Sequence, residues 1–191
     1  MLTADHGEEL YDRNFFIGHQ MSVYSSVLRV PLVFSGPGVS AGRSVEEVVS
    51  LMDVAPTALA LLGIHAPQTF AGQPLLRPGE VLPPPDVAFA QLEPRQVYSI
   101  RTHHWHYIEF PRFADQTAGE KRDYPIAAEE LYDLERDPSE RHNLVTEHPE
   151  VAARLRARLA AQMPSQVRVD APDLSPAVRR ELEALGYLDA H

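Results

Sequence analysis

Cysteine is absent from this 191-residue chain. A disulfide framework, a thiolate metal ligand and a cysteine nucleophile are therefore excluded within it. The compartment is left open, because disulfide-free folds occur in cytoplasm and periplasm alike. A basic excess is absent as well: 17 Lys and Arg stand against 27 Asp and Glu, a formal net charge of −10. That balance argues against a nucleic-acid partner, which requires a clustered basic face. It does not exclude an anionic ester, because a metal ion and a few Arg or His groups dominate the field inside a site. No apolar run reaches the roughly 18 residues that a membrane-spanning helix needs. No signal-peptide n-region and h-region opens the chain, and no internal repeat is visible.

What is present is an ordinary globular composition, 44% hydrophobic and 23% charged, enough for one core or a core layer with a small satellite domain. Met1 to Ala4 reads as the end of a buried strand, and Arg29 to Ser35 as a second one, closed by the turn Gly36-Pro37-Gly38. Glu8 to Gly18 reads as a loop and Met21 to Leu28 as a short helix. Leu51, Val54, Ala55, Ala58, Leu59 and Leu62 follow a helical period over Ser50 to Leu62, with Pro56 in the first turn and Gly63 as C-cap. The Pro-rich stretch Gln68 to Pro85 reads as an irregular connection. Short runs near 87–91, 96–102, 104–110 and 130–133 predict a small antiparallel sheet. Val151 to Met163 is a helix with Arg154, Arg156 and Arg158 on its solvated side, and Pro176 to Gly186 another, N-capped by Ser175.

Asp5-His6-Gly7 is the first candidate for chemistry. A strand end that delivers two potential ligands into a glycine turn is how open α/β sheets present a site; the alternative is a turn in which Asp5 caps backbone amides. Its context is informative: Gly18-His19, Tyr24, Arg29-Val30-Pro31-Leu32 and Asp53-Val54-Ala55-Pro56-Thr57 follow in order. Farther on come Arg101-Thr102, Trp105-His106-Tyr107-Ile108, Glu130-Leu131-Tyr132-Asp133-Leu134 and Asp137-Pro138-Ser139-Glu140-Arg141-His142-Asn143-Leu144. This string resembles the C-terminal portion of a sulfatase of the alkaline phosphatase superfamily. The family's nucleophile motif, Cys or Ser followed by x-Pro-x-Arg, whose first residue matures to formylglycine, is missing.

The resemblance implies a division of labour. Asp5 is a metal ligand, and His6 either ligates the same ion or binds a substrate oxygen. His19 faces the ester and protonates its leaving oxygen, a role suited to a group titrating near neutrality. In this region Gln20 and Ser25-Ser26 depart from the family's Gly and acidic pair. The implied cofactor is a divalent cation, with calcium first; because His6 is a nitrogen donor, manganese and zinc are alternatives. Formylglycine is expected only in an N-terminal part outside these residues.

Other residues read as scaffold. Arg29 pairs with a carboxylate or carbonyl at the strand entry, Asp53 and Thr57 cap a helix, and Glu8 and Glu9 are solvated. His103, His104 and His106 belong to a sheet edge, with zinc as the lesser reading because no fourth ligand or Cys is near. The expected fold class is therefore α/β: residues 1–82 as the C-terminal part of an alkaline-phosphatase-like core, residues 83–191 as a small α+β subdomain with an antiparallel sheet. The expected function is metal-dependent sulfuric ester hydrolysis, with a sulfate ester as substrate. Met1 falls inside what reads as a core strand, so the chain is expected to be a fragment, inactive alone, with the missing N-terminal half as its partner. The alternatives are a truncated or partner-binding product without activity, and a phosphonate or phosphodiester hydrolase of the same superfamily.

Overall fold

The computed structural model describes residues 1–12, 17–19, 22–83, 85–92, 96–111, 127–162 and 178. Met1–Ala161 forms one compact unit and Gln162–His191 a second. The helix expected over Pro176 to Gly186, with its Ser175 cap, lies outside the described residues. No described helix is long and apolar enough to cross a membrane.

In the first 82 residues the strands are short and pair locally. β1 (Leu2–Thr3) runs antiparallel to β4 (Leu32–Val33), and β2 (Glu9–Leu10) runs antiparallel to β3 (Ile17–Gly18). The loop expected over Glu8 to Gly18 is thus partly a hairpin. α1 covers Ser25–Leu28, the last turn of the helix expected from Met21. A 3₁₀ turn at Leu51–Asp53 leads into α2 (Val54–Leu61), with Pro56 in the first turn and Gly63 at φ +73°, as its sequence requires. The Ser50 and Asp53 side chains form a reciprocal capping box.

The Pro-rich stretch is more ordered than an irregular connection. It folds into a hairpin of β5 (Leu76–Arg77) and β6 (Glu80–Val81), and the cap residues of the preceding helix hold it. The Asp53 carboxylate accepts the Gln73 amide at 2.9 Å, and the Thr57 hydroxyl accepts the Leu75 amide at 2.9 Å while donating to the Asp53 carbonyl at 2.5 Å.

β7 (Ala88–Leu92), β8 (Val97–Arg101), β9 (Trp105–Glu109) and β10 (Glu129–Asp133) form the expected antiparallel sheet, in the order β10-β9-β8-β7. Its registers, Ile100↔Tyr107↔Leu131 and Ser99↔Ile108↔Glu130, sort the side chains into two faces. Alternation in β8 implies one apolar face in need of cover; in the structure both faces are covered. On one, Val97, Ile108, Phe110 and Tyr132 cluster with Val23 and Tyr24 from the segment entering α1. On the other, α3 (Pro149–Gln162) buries Val151, Ala152, Leu155 and Leu159. Arg156 of α3 donates to the Tyr107 hydroxyl at 3.0 Å and to the Glu129 carboxylate, and Arg158 pairs with Asp86. Two of the three arginines expected to solvate α3 therefore tie it down.

Candidate functional site

The turn after β1 is built by contacts with α1. The Gly7 amide donates to the Val27 carbonyl at 2.7 Å, and a Cβ on Gly7 would lie 2.1 Å from the Ser26 carbonyl oxygen. Only glycine allows so close an approach. Beside it the Glu9 carboxylate is buried and accepts from the Ser22 hydroxyl at 2.9 Å and the Ser26 hydroxyl at 2.6 Å. The expectation that Glu9 is solvated is overturned: its side chain faces inward and fastens the site turn to α1.

Asp5, His6 and His19 lie in one locality. The Asp5 carboxylate is exposed and accepts the His6 amide at 3.0 Å. This hydrogen bond, aided by the nearby histidines, holds its pKa below the usual value. His6 Nε2 is 3.7 Å from Asp5 Oδ2, and His6 Nδ1 is 3.0 Å from the Gly7 carbonyl oxygen. The His19 ring, just after β3, packs against the His6 ring with centroids 3.9 Å apart. Glu8, also read as solvated, takes part: its carboxylate is 2.8 Å from His19 Nδ1. Ligand-capable atoms of His6, Glu8 and His19 all lie within 4.8 Å of one another. The structure thus adds Glu8 to the sequence candidates.

Asp5 also lines a cleft of about 900 Å³ with Arg29, Arg77, Arg101 and His103. Arg29 is exposed and has no ion-pair partner among the described residues, so the pairing expected for it is not made there.

The three histidines at 103–106 part company. His103 and His104 lie in the turn before β9 with His104 exposed, whereas His106 is fully buried in the strand. His106 Nδ1 is 2.5 Å from Glu140, and its Nε2 has no hydrogen-bond partner among the described residues. Among the described residues these histidines form no metal cluster. Glu140 also accepts the amide and hydroxyl of Ser25, each at 2.8 Å, and lies 3.8 Å from Arg101. Sequence reasoning treated the Glu140 turn as scaffold and Ser25-Ser26 as a departure from pattern. Two adjacent hydroxyls at a helix start need acceptors, and that was the available signal. The rest of the turn is as expected: Asp137 accepts the amides of Arg141 and His142, and Asn143 bridges to Leu131 and Glu129.

A family model described as Sulfatase matches residues 1–64. The bovine (Bos taurus) protein Arylsulfatase K is 32% identical over 170 residues, covering 82% of this chain and 29% of that protein. The chain thus spans less than a third of the curated relatives it matches. The solved structure of a 2-O GAG sulfatase superposes with a TM-score of 0.65 at 23% identity, over 99% of this chain and 38% of that one. Phosphonate Monoester Hydrolase of Agrobacterium radiobacter superposes with a TM-score of 0.60 at 24% identity, over 83% of this chain and 33% of that one. At such identities the superpositions establish the fold, which is alkaline-phosphatase-like and of the α/β class.

Proposed function

We propose, on the premise that this chain belongs to the sulfatase family of the alkaline phosphatase superfamily, that it forms the C-terminal part of a metal-dependent sulfuric ester hydrolase. Residues 1–82 belong to the C-terminal part of the catalytic core and residues 83–191 to a C-terminal subdomain. The observation that carries the proposal is the convergence of His6, Glu8 and His19 beside the exposed Asp5 carboxylate, immediately after β1.

Asp5 and His6 would hold a divalent cation, with calcium as the expected ion, and such an ion would supply positive charge beside the ester. His19 contacts the ester and delivers a proton to the leaving oxygen, and the Glu8 carboxylate on its Nδ1 fixes the tautomer and the ring orientation. The attacking group is not among these 191 residues, which contain no Cys or Ser followed by x-Pro-x-Arg. Removing the nucleophile from a cooperating set forfeits most of the rate enhancement.

The test is turnover of a chromogenic aryl sulfate. The purified 191-residue chain is expected to show none, and a longer reading frame that includes a nucleophile motif is expected to be active, with the activity abolished by chelator and by Asp5→Ala. Chelator-sensitive turnover by the 191 residues alone, lost in Asp5→Ala, would show that the nucleophile lies within them. A long form that cleaves an aryl phosphonate but not the sulfate would overturn the choice of ester.

A further inference from the structure

We infer that Glu140 is a positioning residue for the site turn: acting through α1, its carboxylate sets where the His6 and His19 rings stand relative to the ester. The inference rests on the reading of this turn as the site, and it names a residue far along the chain on which the geometry of that site depends.

Three observations carry it. The first is that nothing local fixes α1. Its four residues are too few to hold a helix unaided, and Tyr24 at its start makes no side-chain cap hydrogen bond. The cap comes instead from Glu140, whose carboxylate accepts the Ser25 amide and hydroxyl, each at 2.8 Å. Arg101 of β8 donates to the same hydroxyl at 2.5 Å.

The second is how that carboxylate is placed. Glu140 stands at φ +55°, a left-handed conformation that a non-glycine residue keeps only where its surroundings impose it. Its side chain is fully buried. A carboxylate can only accept, so His106 donates to it from Nδ1 at 2.5 Å and β9 fixes it in an orientation that reaches α1. A Ser, Asp or Asn at position 24 would cap α1 without the burial or the strained backbone. Strain of this kind is tolerated where placement matters.

The third is what α1 holds in turn. Ser26, next to Ser25, donates to the buried Glu9 carboxylate at 2.6 Å, and the Val27 carbonyl receives the Gly7 amide at 2.7 Å. A Cβ at Gly7 would lie 2.1 Å from the Ser26 carbonyl oxygen. With so little slack, a shift of α1 passes to His6 and, through rings 3.9 Å apart, to His19. Misplacing a reacting group by about 1 Å lowers a rate by up to about a hundredfold.

The experiment compares Ser25→Ala, Ser25→Thr and Glu140→Gln with Thr57→Val, which removes a buried hydrogen bond of α2 instead. Histidine ring resonances in NMR spectra of the purified 191-residue chain read the geometry; kcat and KM for an aryl sulfate in the longer form read its consequence. Ser25→Ala and Glu140→Gln are expected to move the His6 and His19 resonances and to lower kcat about tenfold or more, with KM changed less than about twofold. Ser25→Thr, which keeps the hydroxyl, retains the wild-type values. Thr57→Val lowers the melting temperature and moves neither ring. Where Glu140→Gln does not fold, Ser25→Ala carries the test, because it keeps the amide bond to Glu140. Unmoved rings in Ser25→Ala, equal movement in Thr57→Val, or an unchanged kcat would each overturn the inference and leave Glu140 a stabiliser of the fold alone. A longer form that turns over no sulfate ester overturns the hydrolase reading, while the ring resonances still decide the positioning, so the two fail separately.

Discussion

The Glu140 carboxylate receives both the amide and the hydroxyl of Ser25, 115 positions earlier, each at 2.8 Å. α1 begins at Ser25, Ser26 of the same helix holds Glu9, and the Val27 carbonyl receives the Gly7 amide. The Asp5-His6-Gly7-Glu8 turn is therefore fastened through one short helix to the Glu140 turn.

Burial alone would raise the pKa of Glu140. The hydrogen bond and charge of His106, with the Ser25 amide and hydroxyl, outweigh it and hold the carboxyl at about 2. A folded-state pKa below the unfolded value of 4.5 means that the stabilisation is complete above pH 4.5 and lost as pH falls through about 2. The shift corresponds to about 3 kcal/mol. Urea denaturation as a function of pH is expected to show that loss, and Glu140→Gln is expected to lower stability near neutrality by about 3 kcal/mol with a flatter acid limb.

Gly7→Ala places a methyl 2.1 Å from the Ser26 oxygen. The turn must move, at a cost of about 2 kcal/mol, and the His6–His19 ring contact moves with it. A lower melting temperature together with changed histidine ring shifts in NMR is the expected result. Retention of both values would show that the turn is not seated on α1.

Thr57→Val keeps the shape and removes the hydroxyl that receives the Leu75 amide. Leaving that amide unpaired costs about 1–3 kcal/mol, whereas Thr57→Ser retains the bond and is expected to lie closer to wild type. Chemical denaturation of the pair separates the hydrogen bond from side-chain volume.

Burial is the largest influence on Tyr107 and, against the opposing Arg156 hydrogen bond, pushes its hydroxyl up to about 12. The folded protein keeps this proton where the unfolded chain begins to lose it, near 10. The stabilisation is thus intact below pH 10 and lost as pH rises through about 12. An ultraviolet titration of the seven tyrosines is expected to lose one late-titrating group in Tyr107→Phe.

Much of this was legible in the residues themselves. The helical period of Ser50 to Leu62, with its Pro56 start and Gly63 stop, and the four-stranded run between 87 and 133 rest on local spacing and turn chemistry, which any window of sequence displays. The locality of Asp5, His6 and His19 followed from the order of motifs. Buried acids were not legible: Glu9 and Glu140 look like ordinary surface carboxylates in a chain rich in them. Only the tertiary structure decided which carboxylates turn inward, because a buried charge is tolerated where donors from other segments converge on it. Ser22 and Ser26 for Glu9, and Ser25, Arg101 and His106 for Glu140, are brought together by packing rather than by proximity in sequence.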